Sequence, residues 1–307
     1  MKMLHETLIT VVMGGPGSER GVSLASGGAV VEALRGEGCR VEAADIAGAD
    51  FELPGGTGLV FNVIHGTFGE DGQLQDLLDL RGMPYTGAGA ASSRLAFDKL
   101  ASKQRFVERG VPTPECEMVD CSAGVVLPGM APPFVVKPPR EGSSVGVHIV
   151  REAGGARPAI EDAARYGGLV MVERFVEGLE LTVGVLDGEA LPVVHIAPRS
   201  GFYDINNKYP WMGGGGGTDY YCPADLDVAT TARVQEAALA AHRSLGVEIY
   251  SRVDVLLTAA GDPYVLEVNT IPGMTASSLL PKAAAATGLE FGPLCLRIAE
   301  LSLQLRS

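Results

Sequence analysis

Four residues near the C-terminal end could do chemistry together: Arg252, Asp254, Glu267 and Asn269. In Arg252-Val253-Asp254-Val255 and in Leu266-Glu267-Val268-Asn269, charged or amide residues alternate with apolar ones. Two extended strands would therefore each present their polar pair on one face. Two carboxylates and an amide oxygen arriving from adjacent strands make an oxygen-only ligand set, which hard Mg²⁺ prefers when substrate phosphates complete its shell. An amphipathic hairpin with a solvated face would show the same alternation. The whole stretch 251–278 reads as two strands, a glycine turn and a polar helix start.

Groups suited to a polyphosphate occur upstream. Pro132-Pro133-Phe134-Val135-Val136-Lys137 sets a lysine at the end of an apolar strand, and Arg140 to Val147 follows as a glycine and serine loop containing Ser143 and Ser144. A point charge plus backbone N–H groups folded over it is what a triphosphate needs, although such loops are also ordinary hairpin turns. Leu169 to Arg174 is an apolar strand carrying Glu173, Phe175-Val176 form a short apolar connector, and Glu180 opens another strand. That layout suits an adenine beside a carboxylate for the ribose hydroxyls; plain strand ends explain the acids equally well.

Two N-terminal residues complete the candidates. Leu8 to Met13 is a buried-strand pattern running into Gly14-Gly15-Pro16-Gly17-Ser18-Glu19-Arg20, with a helix whose start is signalled by Ser23. Its glycines do not match the dinucleotide fingerprint. Glu19, at the carboxyl end of the first strand, faces the ligand crevice of an open sheet and could hold an ammonium, or could simply favour the helix dipole. His65 follows the third strand, in a turn rich in glycine and acid where binding residues concentrate.

These candidates need elements to carry them. Strands at Arg40 to Ala44 and Leu59 to Val63 join the first in a small parallel α/β domain. Pro84 onward leads to a helix containing Asp98-Lys99, near which the first domain ends. From Pro112 the chain turns to extended strands with proline punctuation. Thr230 to Leu245 and a last helix from about Pro293 read as scaffold.

Composition narrows the classes. A net charge of −13 over 307 residues, with no basic stripe, argues against nucleic-acid binding. No apolar run reaches the length of a signal peptide or membrane span, so a cytoplasmic location is expected. The five scattered cysteines fit reduced thiols.

Taken together, Gly14-Gly15 with Ser18-Glu19-Arg20 and Val22-Ser23, HGTFGEDGQLQ from His65, DKLASK from Asp98, VVKPPREGSSVG from Val135, FYDINNKY from Phe202 and EVNTIPGMTASSL from Glu267 resemble the D-alanine–D-alanine ligases of the ATP-grasp superfamily. The resemblance spans essentially the whole chain. It implies an α/β fold, α+β in its central part: an open parallel-sheet substrate domain over 1–98, then a two-part ATP-grasp fold over 99–186 and 187–307, the last part carrying metal site and lid.

The resemblance also implies roles. Lys99, Lys137 and Lys208 meet the ATP phosphates, the loop at Ser143 and Ser144 closes over them, and Glu173, Phe175, Val176 and Glu180 line the nucleotide site. Asp254, Glu267 and Asn269 hold a pair of Mg²⁺ ions, with Mn²⁺ able to substitute. Glu19 and His65 hold the first D-alanine, while Ser278 and Leu279 receive the carboxylate of the second. Arg252 and the Gly273 N–H stabilise the tetrahedral oxyanion, and the Tyr209 hydroxyl ties the lid to Ser143 and Glu19. The implied product is D-alanyl-D-alanine for peptidoglycan precursors, formed through an acylphosphate by a cytoplasmic homodimer that contacts neither nucleic acid nor membrane.

The chain departs from the pattern at Pro139 and in the glycine run Gly213 to Gly217, which lengthens the lid. The lid contains no histidine, whereas ester-forming relatives carry one, so the amine is the expected nucleophile. Two alternatives are another carboxylate–amine ligase, including one making a D-alanine–D-lactate ester, and a regulatory module without catalysis. The regulatory reading requires a damaged metal set, and Asp254, Glu267, Asn269, Lys137 and Arg252 are all present.

Overall fold

A computed structural model describes residues 2–142, 144–199 and 217–306. Ser143, Lys208, Tyr209 and most of the glycine run lie outside the described residues.

The first sheet is built on β1 (Leu8–Gly14), all seven of whose residues are buried. Both faces of a central parallel strand are covered, hence the unbroken apolar run. β2 (Arg40–Ile46) and β3 (Thr57–Asn62) pair with it in parallel on either side. The helix between β1 and β2 spans Arg20–Gly36, so Ser23 is not its start but sits in its first turn, fully buried. The Ser23 hydroxyl accepts from the Gly14 N–H at 2.9 Å and donates to the Val63 carbonyl at 2.8 Å, joining the ends of two strands.

The second sheet is antiparallel, with β4 (Cys116–Asp120), β5 (Phe134–Lys137), β6 (His148–Val150) and β7 (Leu169–Arg174) in the order β4-β7-β5-β6. Helix Ala156–Ala163 covers one face. The third sheet comprises β8 (Leu179–Leu186), the short β9 (Glu189–Ala190), β10 (Val194–Pro198), β11 (Thr218–Tyr221), β12 (Tyr250–Leu257) and β13 (Pro263–Asn269), in the order β11-β10-β8-β12-β13 with β9 on β8. β8, at the end of the expected central unit, pairs with β12 along its whole length and so belongs to the C-terminal sheet.

Alternation along β12 decides what faces where. Val253, Val255 and Leu257 are at most 4% exposed and pack under helix Val228–Ser244, each contributing about 1.5–3 kcal/mol. Arg252, Asp254 and Leu256 take the opposite face. The helix beneath begins two residues earlier than its apolar pattern suggests, because Asp227 caps it through the Thr230 N–H at 3.0 Å.

The expected helix through Asp98-Lys99 is two helices, Ala90–Phe97 and Lys99–Glu108. Asp98 takes extended dihedrals between them and caps the second, accepting from the N–H groups of Leu100 and Ala101 at 3.1 Å each. The break brings Lys99 to the first position of its helix, where the macrodipole disfavours a cation. The last helix, Phe291–Arg306, returns to the first domain and shares one core with β1, β3 and helix Arg20–Gly36.

Candidate active site

The polar face of β12 and β13 is assembled by register. Asp254 stands opposite Glu267 and Arg252 opposite Asn269, so all four side chains share one face. A bulge beside Asp254 makes Val255 the partner of Val265 and leaves Leu266 as the extra residue. Bulges re-aim side chains, and here Leu266 joins Glu267 on the wall of a cavity.

Asp254 is enclosed by donors. Arg252 grips it with both arms, Nε to Oδ1 at 2.9 Å and Nη2 to Oδ2 at 2.8 Å. Thr182 on β8 donates to Oδ1 at 2.6 Å and Asn269 Nδ2 to Oδ2 at 3.1 Å. Glu267 pairs with the Lys99 ammonium at 3.1 Å. Burial works against the charge on Lys99, but Glu267, with Glu70 and Glu19 adding to it, lifts its pKa above the ordinary lysine value.

Lys99 also organises the loop after Lys137. Its backbone N–H donates to the Pro139 carbonyl at 2.9 Å and its ammonium to the Glu141 carbonyl at 2.7 Å. The proline that departs from the family pattern thus contributes its carbonyl to the loop's anchorage. Ser144 follows with φ +60°, in the left-handed region that a non-glycine residue adopts only under constraint.

Two cavities meet at this face. The larger, of about 460 Å³, lies between the second and third sheets. Lys99, Lys137, Ser144, Asp254 and Glu267 line its polar end, and Glu173, Phe175, Val176 and Glu180 border the rest, with Val135, Ile149, Leu256 and Leu266 adding apolar wall. Arg151 lies over the Phe175 ring at 5.0 Å from its centroid. Apolar walls ending in lysines and carboxylates suit a nucleotide with its polyphosphate toward that end.

Glu173 is 3% exposed and stands between two lysines, with Lys137 Nζ at 2.7 Å from Oε2 and Lys103 Nζ on Oε1. Burial opposes its ionisation, yet Lys137 and Lys103 together hold its pKa below the usual carboxylate range. Lys103 is pushed down by burial, which its pairing with Glu173 only partly offsets.

The smaller cavity, of about 290 Å³, is walled by Glu19, His65, Arg252, Glu267, Asn269, Gly273, Ser278 and Leu279. Glu267 and Gly142 border both cavities. Glu19 occupies the N-cap position without making a side-chain cap bond. Its carboxylate lies instead against Gly66 and Gly142: a Cβ on either would come within 2.7 Å and 2.6 Å of Oε2. Glu19 thus borders the smaller cavity rather than capping its own helix through its side chain.

His65 is 6% exposed and is held by the Ile271 carbonyl at 2.8 Å from Nδ1 and by Ser26 Oγ at 3.1 Å from Nε2. Ser26 Oγ also accepts the Met274 N–H at 3.3 Å, so the first domain is tied to the turn after β13. Burial would push His65 down, but Glu70, 3.7 Å from Nδ1, together with Glu19 and the Ile271 carbonyl raises the pKa; burial raises Glu70. Ser278 precedes helix Leu279–Ala285, its hydroxyl accepting from the Thr275 N–H at 3.1 Å and lying beside Gly273.

Sequence reasoning missed Glu70, Lys103, Thr182 and Lys282, which also lines the smaller cavity. Glu70 lies inside HGTFGEDGQLQ and Lys103 inside DKLASK, and Lys103 follows Lys99 by one helical turn, which was the available signal.

Among the described residues no group of three His, Cys, Asp or Glu side chains could hold a metal ion. The set formed here is two carboxylates and an amide, and its chemistry fits Mg²⁺ supplemented by phosphate oxygens. In the present arrangement Arg252 and Lys99 neutralise the two acids.

Comparison with known proteins agrees with this geometry. The family model described as D-ala D-ala ligase C-terminus matches residues 122–300, and that described as D-ala D-ala ligase N-terminus matches 45–88. The D-alanine–D-alanine ligase of Methylacidiphilum infernorum is 46% identical over 295 residues, covering 96% of this chain and 95% of that one. The crystal structure of the Bacillus anthracis D-alanine–D-alanine ligase complexed with ATP superimposes with a TM-score of 0.84 at 32% identity, over 98% of each chain. The VanG D-Ala:D-Ser ligase from Enterococcus faecalis gives 0.82 at 28% identity, over 96% of this chain and 99% of that one. Parallel first sheet, two antiparallel sheets with a cavity of about 460 Å³ between them, and matches along nearly the whole length lead to one assignment: the chain belongs to the D-alanine–D-alanine ligase family, with its ATP-grasp fold.

Proposed function

We propose that the chain joins two molecules of D-alanine at the expense of ATP, releasing ADP and phosphate, and so supplies peptidoglycan precursors. The observation that carries this reading is the meeting of the two cavities at Glu267 and Gly142, which would bring a γ-phosphate to the carboxylate of an amino acid held by Glu19.

A carboxylate is a poor electrophile, and phosphorylation turns one of its oxygens into a leaving group. Lys99 and Lys137 neutralise phosphate charge while the carboxylate of the first D-alanine attacks the γ-phosphorus. Asp254, Glu267 and Asn269 would hold Mg²⁺, which supplies charge neutralisation to the phosphates when bound. Glu19 takes the first substrate's ammonium and His65 backs the same pocket. Ser278 and Leu279 receive the carboxylate of the second D-alanine, whose amine attacks the acylphosphate. Arg252 and the Gly273 N–H stabilise the resulting oxyanion. The tetrahedral adduct expels phosphate and the amine proton is lost, leaving the peptide bond. Ser144 borders the larger cavity, while Ser143, Lys208 and Tyr209, whose expected role is closure, lie outside the described residues; closure of the site would keep water from the acylphosphate.

Among the described residues no helix is long and apolar enough to cross a membrane. We further infer two Mg²⁺ ions replaceable by Mn²⁺, a homodimer, a cytoplasmic location and domain limits at 1–98, 99–178 and 179–307, the second limit moved from 186 because β8 pairs within the third sheet. The absence of histidine from the lid favours the amine over the lactate hydroxyl as nucleophile. Mass spectrometry of products from ATP, Mg²⁺ and equal D-alanine, D-serine and D-lactate tests this: D-alanyl-D-alanine as the main product supports it, and a predominant ester or mixed dipeptide contradicts it.

A further inference from the structure

Lys103 lies one turn after Lys99 on the same helix, yet it is 2% exposed and borders neither cavity. Its three N–H donors meet three acceptors: the Glu173 carboxylate, Thr113 Oγ1 at 2.6 Å and the Pro114 carbonyl at 3.0 Å. An ammonium so satisfied has no donor left for a ligand. Anything it does for the reaction must therefore pass through Glu173.

Glu173 offers its other oxygen to Lys137, which does border the nucleotide cavity. Two ammoniums and one carboxylate leave the trio with one net positive charge. Without Lys103 the remainder is a neutral pair, with Glu173 drawing on Lys137 alone. The trio is also fixed in place: the Thr113 hydroxyl donates to the Val265 carbonyl at 2.8 Å, and the Val265 N–H to the Pro112 carbonyl at 2.8 Å. Lys103 thereby holds Glu173 in register with β13, the strand that carries Glu267.

We propose that Lys103 is a positioning residue for the nucleotide: by neutralising Glu173 from behind, it leaves the charge of Lys137 uncompensated toward the cavity, available to an anionic polyphosphate. The inference rests on reading the larger cavity as the ATP site.

Calorimetric titration of ATP into the wild type, Lys103→Met and the double variant Lys103→Met/Glu173→Gln tests it, with thermal melts alongside. Lys103→Met should weaken ATP binding about tenfold or more and raise the KM for ATP in step, while kcat at saturating ATP stays within about threefold. The double variant again leaves Lys137 uncompensated and should recover most of the lost affinity, a rescue that a merely structural lysine would not show. ATP binding by Lys103→Met within about twofold of wild type, or a loss that Glu173→Gln does not relieve, overturns the proposal. Should Lys103→Met fail to fold, the double variant decides: affinity within about tenfold of wild type supports the charge balance, and a greater loss overturns it. Failure of the wild type itself to bind ATP would instead overturn the nucleotide reading.

Discussion

Asp254 and Glu267 face each other directly across the β12–β13 pair, two carboxylates on one side of an antiparallel ladder. Like charges in that relation repel, and the fold tolerates them because Arg252 grips one acid and Lys99 pairs with the other. Both acids line the larger cavity, and Glu267 borders the smaller one as well.

Glu267→Gln keeps the shape and removes one charge. Turnover should fall about a hundredfold or more at saturating Mg²⁺, with the melting temperature nearly unchanged. The variant should also lose the Mg²⁺-dependent gain in melting temperature measured with ATP present. Near wild-type turnover would contradict the metal role.

Gly142→Ala tests the packing of Glu19. Gly142 has no left-handed φ, and the atoms nearest an added methyl belong to the Glu19 carboxylate. The KM for D-alanine should rise about tenfold with kcat less affected, because a displaced carboxylate no longer meets the substrate ammonium. Steady-state kinetics check this, and an unchanged KM would separate Glu19 from substrate binding.

Much of the polar face of β12 and β13 is legible in the amino-acid sequence. The alternation through Arg252, Asp254, Glu267 and Asn269 needs only the two-residue period of a strand, and the pairing of those strands preserves it. Thr182 is not legible, since its bond to Asp254 depends on β8 lying beside β12, a matter of sheet order over 72 residues of separation. Leu266 is hidden by a bulge that breaks the period. Ser23 misleads as a helix start because a serine in a first turn can serve a neighbouring strand as well as its own helix.

His242 provides a pH test of the scaffold beneath the site. It is 4% exposed, bonded through Nδ1 to Ser251 Oγ at 2.8 Å, and burial lowers its pKa from 6.5 to about 4. A depressed histidine stabilises the fold in its neutral form. That contribution is present above pH 6.5 and is lost as pH falls toward 4. Chemical denaturation should show about 2–3 kcal/mol lost from this group between pH 7 and pH 4.5, and His242→Gln should flatten that part of the profile. An unaltered profile in the variant would remove His242 as its cause.

In the proposed reaction one site couples ATP cleavage to the joining of two D-alanines, which product stoichiometry measures. With ATP, Mg²⁺ and D-alanine, phosphate and D-alanyl-D-alanine are measured in the same sample over time. One dipeptide is expected for each phosphate released, and no phosphate without D-alanine. Phosphate release without dipeptide, or at a rate indifferent to D-alanine, would contradict it.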